Sequence, residues 1–212
     1  MCSSDYRLPT PFLVLATQNP IESEGVYPLP EAQRDRFLLK VVVPLPGMAD
    51  EIEIVRRIAV APPRASQVLT LDDLVALQAA VDDVFVHHAV VQYAVSLVMA
   101  TRDPAAWRLP ELAPHLAVGA SPRGSLGLVQ AARALALLRG RDYVLPDDVQ
   151  DLAVDVLAHR LVLSYEALAD GVQAEDLVAK VLAAVPAPSL APARQSSDAA
   201  RPTTAAPTRA VA

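Results

Sequence analysis

Apolar positions along the chain fall into two regimes. Pro11-Phe12-Leu13-Val14-Leu15-Ala16 is an unbroken apolar run, which predicts a strand buried on both faces. A loop rich in proline and glycine follows, from Gln18 to Pro30. Phe37-Leu38-Leu39-Lys40-Val41-Val42-Val43 predicts a second strand, stopped by Pro44 and Pro46. The period then lengthens. From Met48 to Ile58 the residues Ile52, Val55 and Ile58 share one helical face, and Glu53 precedes Arg57 by four positions, the order that favours a helical ion pair. Ala61-Pro62-Pro63 marks a boundary.

Thr70 to Val185 reads as helices throughout. Thr70 and Asp73 form a capping-box variant, and Leu71, Leu74, Gln78 and Val81 give the helix that follows a face. Ala89 to Met99 is apolar nearly all round, the signature of a buried central helix. Ser121 and Pro122 open the next helix, lined by Leu128, Ala132, Leu135 and Leu138 and ended by Gly140. Pro146-Asp147-Asp148 opens another, with Val149, Leu152 and Val156 facing inward, and Asp176 to Val185 is the last.

Composition sharpens the class. The chain has 212 residues, 53% of them apolar and 20% charged, enough to bury a core. A net charge of −6 argues against a nucleic-acid partner, which selects for a basic face. No apolar run approaches the roughly 20 residues of a membrane span; Ala89 to Ala100 is shorter and carries Gln92 and Ser96. The first residues lack a signal-peptide pattern, and the single cysteine, Cys2, cannot form an internal disulfide or a cysteine-rich metal site. A cytoplasmic chain is expected. From Pro186 to Ala212 proline, alanine, serine and threonine dominate, predicting a disordered tail.

Several clusters have ordinary explanations. Asp72-Asp73, Asp82-Asp83 and Asp147-Asp148 suit capping or solvation better than metal binding. His87-His88 has no further ligand at helical spacing, Trp107 reads as a packing anchor, and Arg56-Arg57 as a solvated face. No metal ligand set is expected. Two segments ask for more. Ala16-Thr17-Gln18-Asn19-Pro20 follows an apolar strand directly, where α/β sheets place site residues; an ordinary Asn-Pro turn fits equally. In Gly119-Ala120-Ser121-Pro122-Arg123-Gly124, Arg123 falls in the first turn of a helix, against the helix dipole. Either a phosphate group meets it there or a carboxylate of the same chain does.

Five strings, in this order, carry a resemblance: PFLVLATQNP (Pro11–Pro20), GVYPLPEAQRDRF (Gly25–Phe37), GASPRG (Gly119–Gly124), AARALALLRGRDYVLPDDV (Ala131–Val149) and VLAHRLVL (Val156–Leu163). From about Leu8 to Pro186 the chain resembles the C-terminal half of the MoxR family of AAA+ ATPases. The resemblance implies that Asn19 is the sensor-1 residue orienting the attacking water. It implies that Arg36 is the arginine finger reaching a neighbouring subunit's nucleotide, and that Arg123 is the sensor-2 arginine of the lid. It also places the loop from Gln18 to Pro30 near a subunit interface. ATP and magnesium are the implied cofactors. Other AAA+ subunits in a ring are the implied partners, together with a von Willebrand factor A-type protein, in chaperone-like remodelling.

Two departures stand out. Arg34 replaces a usual leucine, adding a cation two residues before the finger. No glycine is followed by lysine, and only 18 residues precede Asn19, so neither the phosphate loop nor the magnesium-binding Asp-Glu pair is found. A truncated or split chain, inactive alone, is expected. The expected fold is mainly α: two strands remaining from a P-loop α/β core in residues 8–62, a helical lid in 66–185 and the tail 186–212. A non-catalytic helical interaction module is the alternative, and a magnesium-chelatase-type subunit a third reading that YPLPEAQ and GRDYVLPDDV disfavour.

Overall fold

A computed structural model describes residues 8–18, 29–60 and 64–189; Asn19 and nearly all of the tail lie outside them. The chain is mainly α, with eight α-helices among the described residues. These are α1 (Glu31–Arg34), α2 (Met48–Val60), α3 (Leu71–Asp83), α4 (His88–Arg102), α5 (Pro122–Leu138), α6 (Pro146–Leu157), α7 (Tyr165–Ala169) and α8 (Ala174–Ala184). Strands β1 (Leu116–Val118) and β2 (Val162–Leu163) pair antiparallel within the helical part, bringing Leu116 opposite Leu163.

Local chemistry sets the helix ends. The Thr70 hydroxyl accepts from the Asp73 N–H, and the Asp73 carboxylate accepts from the Thr70 N–H at 2.8 Å, a closed capping box. His87 Nδ1 accepts from the Ala89 N–H at 3.1 Å, so the histidine pair opens α4. Gly140, just past α5, has φ +72°, a conformation glycine adopts without strain. Asp148 caps α6 by accepting from the Leu145 N–H at 2.8 Å. It is fully buried between Arg139 and Arg141, whose charges satisfy a carboxylate that could not be buried alone.

The core is drawn from α4, α5, α6 and α8. Val90, Leu97, Val98, Leu128, Val149, Val156, Leu157, Leu177 and Val181 are all buried, and Trp107 packs against them. This matches the expected central helix and its neighbours.

The N-terminal third departs from expectation. Residues 11–16 and 37–43 form no strand, and Leu13, Leu15, Val41 and Val43 are exposed. A strand needs a neighbouring strand for its N–H and C=O groups, and no described strand pairs with either run; residues 37–40 lie instead against the end of α6 and the turn after it, where the Lys40 N–H donates to the Asp155 carbonyl. Helices α2 and α3 form where the pattern places them, because capping and i,i+4 pairing are local: Arg57 Nε donates to Glu53 at 2.8 Å. No residue of α3 is buried: the helix touches α5, Val81 is half-buried, and Leu71 and Leu74 of its expected face stay exposed.

Candidate functional site

Asp35 ends α1, and its carboxylate joins two distant parts of the chain. Ser121 Oγ reaches both carboxylate oxygens at 2.9 Å. Arg123 Nη1 donates to Oδ2 at 3.0 Å, and Arg160 Nη1 lies 3.4 Å from Oδ1. Ser121 also caps α5, accepting from the Arg123 N–H at 3.2 Å. One carboxylate thus sits at the start of α5 with a hydroxyl and two guanidinium groups, an arrangement suited to an anion.

Close packing places this helix start. A Cβ on Gly119 would run into the carbonyl of Thr101, and one on Gly124 would lie 3.0 Å from Leu157 Cδ2 and 3.3 Å from Val98 Cγ2. The Ala120 N–H donates to Thr101 Oγ1 at 3.0 Å. The two glycines that bracket Arg123 therefore let the segment lie directly on α4 and α6.

Arg36 is exposed, and its side chain makes no hydrogen bond or ion pair to another described residue. Arg34 is half-buried, and its Nε has no hydrogen-bond partner among the described residues. Arg123 comes against the residue next to Arg36, and both open alternatives for Arg123 meet here: the internal carboxylate is real, and 59% of the Arg123 side chain remains exposed. Asn19 lies outside the described residues.

The sequence reading overlooked His159 and Arg160. Arg160 is buried, and it donates to the carbonyl oxygens of Asp35 and Phe37, each at 2.8 Å. His159 Nε2 donates to the same Phe37 carbonyl at 3.1 Å. A His-Arg pair between Leu157-Ala158 and Leu161-Val162 was the available signal, since buried charge needs partners. Burial lowers the Arg160 pKa, and so does Arg123, while Asp35 works to raise it. Burial also holds the His159 pKa below its ordinary value, reinforced by Arg160, although the Phe37 carbonyl opposes this.

The Ser121 and Arg123 groups suit phosphate oxygens, because both already hold a carboxylate at hydrogen-bond distance. Magnesium has no such fit. Among the described residues no three His, Cys, Asp or Glu side chains come together. None of the described helices is long and apolar enough to cross a membrane.

Comparison with known proteins defines the class first. The family model of the AAA lid domain matches residues 111–181, and that of the ATPase family associated with various cellular activities (AAA) matches residues 1–39. The crystal structure of a candidate ATPase from Cytophaga hutchinsonii superposes with a TM-score of 0.82 at 38% identity, over 87% of this chain and 56% of that one. Among relatives, Chaperone MoxR1 of Mycobacterium tuberculosis is 54% identical over 185 residues, 87% of this chain and 49% of that protein. Protein MoxR of Methylorubrum extorquens is 34% identical over 202 residues, 87% of this chain and 57% of that protein. The chain belongs to the MoxR family of AAA+ ATPases, and it spans about half the length of these curated relatives.

Proposed function

We propose that this chain supplies the arginine finger, the sensors and the lid of a ring-forming, ATP-hydrolysing MoxR-type machine that remodels partner proteins in the cytoplasm. Residues 8–62 belong to its nucleotide-binding core and 66–185 to its lid, with 186–212 as a tail. The carrying observation is Asp35, which ties the segment before Arg36 to the helix start bearing Arg123. Arg36 and Arg123 are thereby held as exposed cations on either side of one junction.

Bound ATP with magnesium supplies the phosphoryl group and its leaving group. The chain's own residues orient and neutralise. Arg123 engages phosphate oxygens from the lid of its own subunit, leaving Asp35 to Ser121 and Arg160. Arg36 reaches across to the adjacent subunit, where its charge counts most as negative charge spreads over the transferring group. Asn19 orients the attacking water. The client is a protein recruited with a von Willebrand factor A-type partner.

The test places Arg36→Ala in a full-length subunit carrying a phosphate loop. Turnover should fall by about 10³-fold or more, the range measured for arginine fingers, while nucleotide affinity stays largely intact. Mixing these subunits with ones lacking the phosphate-loop lysine should restore activity at interfaces that pair an intact finger with an intact loop. The reading fails if Arg34→Ala is the dead variant and Arg36→Ala is not, or if mixed rings form without recovery. The second reading, a non-catalytic interaction module, is favoured by one observation: Arg123 already has a carboxylate partner in its own chain. Arg36→Ala that leaves turnover untouched would support it.

A further inference from the structure

Arg160 has no part in the chemistry proposed above, yet its side chain is only 2% exposed. Burying a guanidinium needs several acceptors to offset lost hydration. Its acceptors lie on one short stretch: the carbonyls of Asp35 and Phe37, each at 2.8 Å, the Leu38 carbonyl at 3.4 Å and the Asp35 carboxylate at 3.4 Å. These groups lie immediately before and after Arg36. His159 adds a second donor to Phe37, and the Lys40 N–H donates to the Asp155 carbonyl at 2.9 Å. Gly127 on α5 lies beside this contact, its closest approach being to Val156. A Cβ there would sit 3.1 Å from Val156 Cγ1 and 3.4 Å from both Arg160 Nη2 and Leu38 Cδ1.

We propose that Arg160 is the positioning residue for Arg36: its forked guanidinium grips the backbone on both sides of Arg36 and fastens that segment to the lid. Residues 35–40 then follow the lid, and the orientation of Arg36 is set by lid position. A planar guanidinium can serve carbonyls on both sides of one residue at once. An ammonium, a compact point charge, lacks the fork. The positioning role rests on the reading of Arg36 as the finger, whereas the attachment itself does not.

Amide hydrogen exchange on the 212-residue chain tests this without nucleotide or ring. The reporters are the N–H groups of Arg36, Phe37 and Lys40, bonded to the carbonyls of Gln33, Arg34 and Asp155. In Arg160→Lys, which keeps the charge, these three amides should exchange about tenfold faster or more, as expected when hydrogen bonds from a charged group are lost. The amides of α4 and α5 should keep their wild-type rates. Arg160→Met should act on the same three amides at least as strongly. Unchanged reporters would overturn the proposal. So would acceleration of α4 and α5 by the same factor, or failure of both variants to fold, because Arg160 would then serve the bundle as a whole. His159→Gln removes one donor to Phe37 and should accelerate the same amides by less. If the exchange result holds while Arg36→Ala leaves turnover intact in the full-length protein, the finger reading falls and the attachment of residues 35–40 to the lid stands.

Discussion

Val98 and Val43 carry the same side chain in opposite circumstances. Val98, in the middle of α4, is 1% exposed, and Val43, in the apolar run after α1, is 85% exposed. The helical part from Val84 onward closes on itself, because α4, α5, α6 and α8 present apolar faces to one another. The part before it also carries long apolar runs, but it meets the helical part through polar contacts around residues 35–40, and Leu15, Val41, Val43, Leu45 and Met48 are all exposed. Apolar content alone does not make a core. A run becomes a core element only where another segment lies within reach to remove it from water.

The widest separation between the two regions is expected at Asp148. Its carboxylate is fully buried, with Arg139 Nη1 at 2.8 Å and Arg141 Nη1 at 2.8 Å. Asp148→Ala leaves two guanidinium groups facing a vacated site and removes the α6 cap. Because the Arg139 and Arg141 side chains are 42% and 19% exposed, the loss expected is that of charge-assisted hydrogen bonds and a helix cap, about 1.5–3 kcal/mol. Urea unfolding followed by far-ultraviolet circular dichroism measures it. A loss below 1 kcal/mol would mean that the Asp148 pairing adds little to the closed bundle.

The same contrast explains how much was legible in the sequence. The capping box at Thr70, the serine cap at Ser121 and the stop at Gly140 were readable because each depends on residues three or four apart. The burial of α4 was readable because its apolar character runs all round. The strands over 11–16 and 37–43 were misread as formed, since a continuous apolar run records what a segment could pair with and not whether a neighbour is present. At the site, Arg123 was legible as a cation in the first turn of a helix, and Arg36 only through family resemblance. The contact of Arg123 with Asp35, the residue before Arg36, joins positions 88 residues apart, a separation at which no local pattern operates. Arg160 was visible as a charge in an apolar stretch, but its partners, carbonyl oxygens, leave no mark in a sequence.

A smaller effect should come from acid. His159 is buried with its pKa below the ordinary 6.5, so the unfolded chain takes up a proton before the folded one does. Its contribution is complete above pH 6.5 and is lost progressively as pH falls below that value toward the depressed folded pKa. Thermal midpoints measured between pH 7.5 and 5 should therefore decline on the acid side, and His159→Gln should flatten that decline. Asp148 contributes to a separate, lower limb. Burial works to raise its pKa, but the Arg141, Leu145 and Arg139 hydrogen bonds outweigh burial and lower it below 3.8. Its stabilisation is lost only as pH falls below that value. A decline above pH 5 that persists unchanged in His159→Gln would assign the limb to some other group.

The smallest effect is expected at Val43, and there the comparison is most easily broken. Val43→Ser exchanges an apolar side chain for a polar one at a position 85% exposed. A side chain that leaves little water on folding contributes little to folding, and surface changes of this kind usually stay within about 0.5 kcal/mol. Urea unfolding of Val43→Ser should therefore coincide with wild type. Association should not: exposed apolar runs without paired edges invite pairing with other chains. Light scattering against concentration should show weaker self-association in Val43→Ser, and weaker still in the Val41→Ser/Val43→Ser double variant. Thr70→Ala on α3 is the control, because it changes a cap without changing apolar exposure and should leave association as it was. If Val43→Ser instead costs more than about 1 kcal/mol, beyond the usual range for a surface change, residues 37–45 are packed in solution and the two regions differ less than their exposures imply.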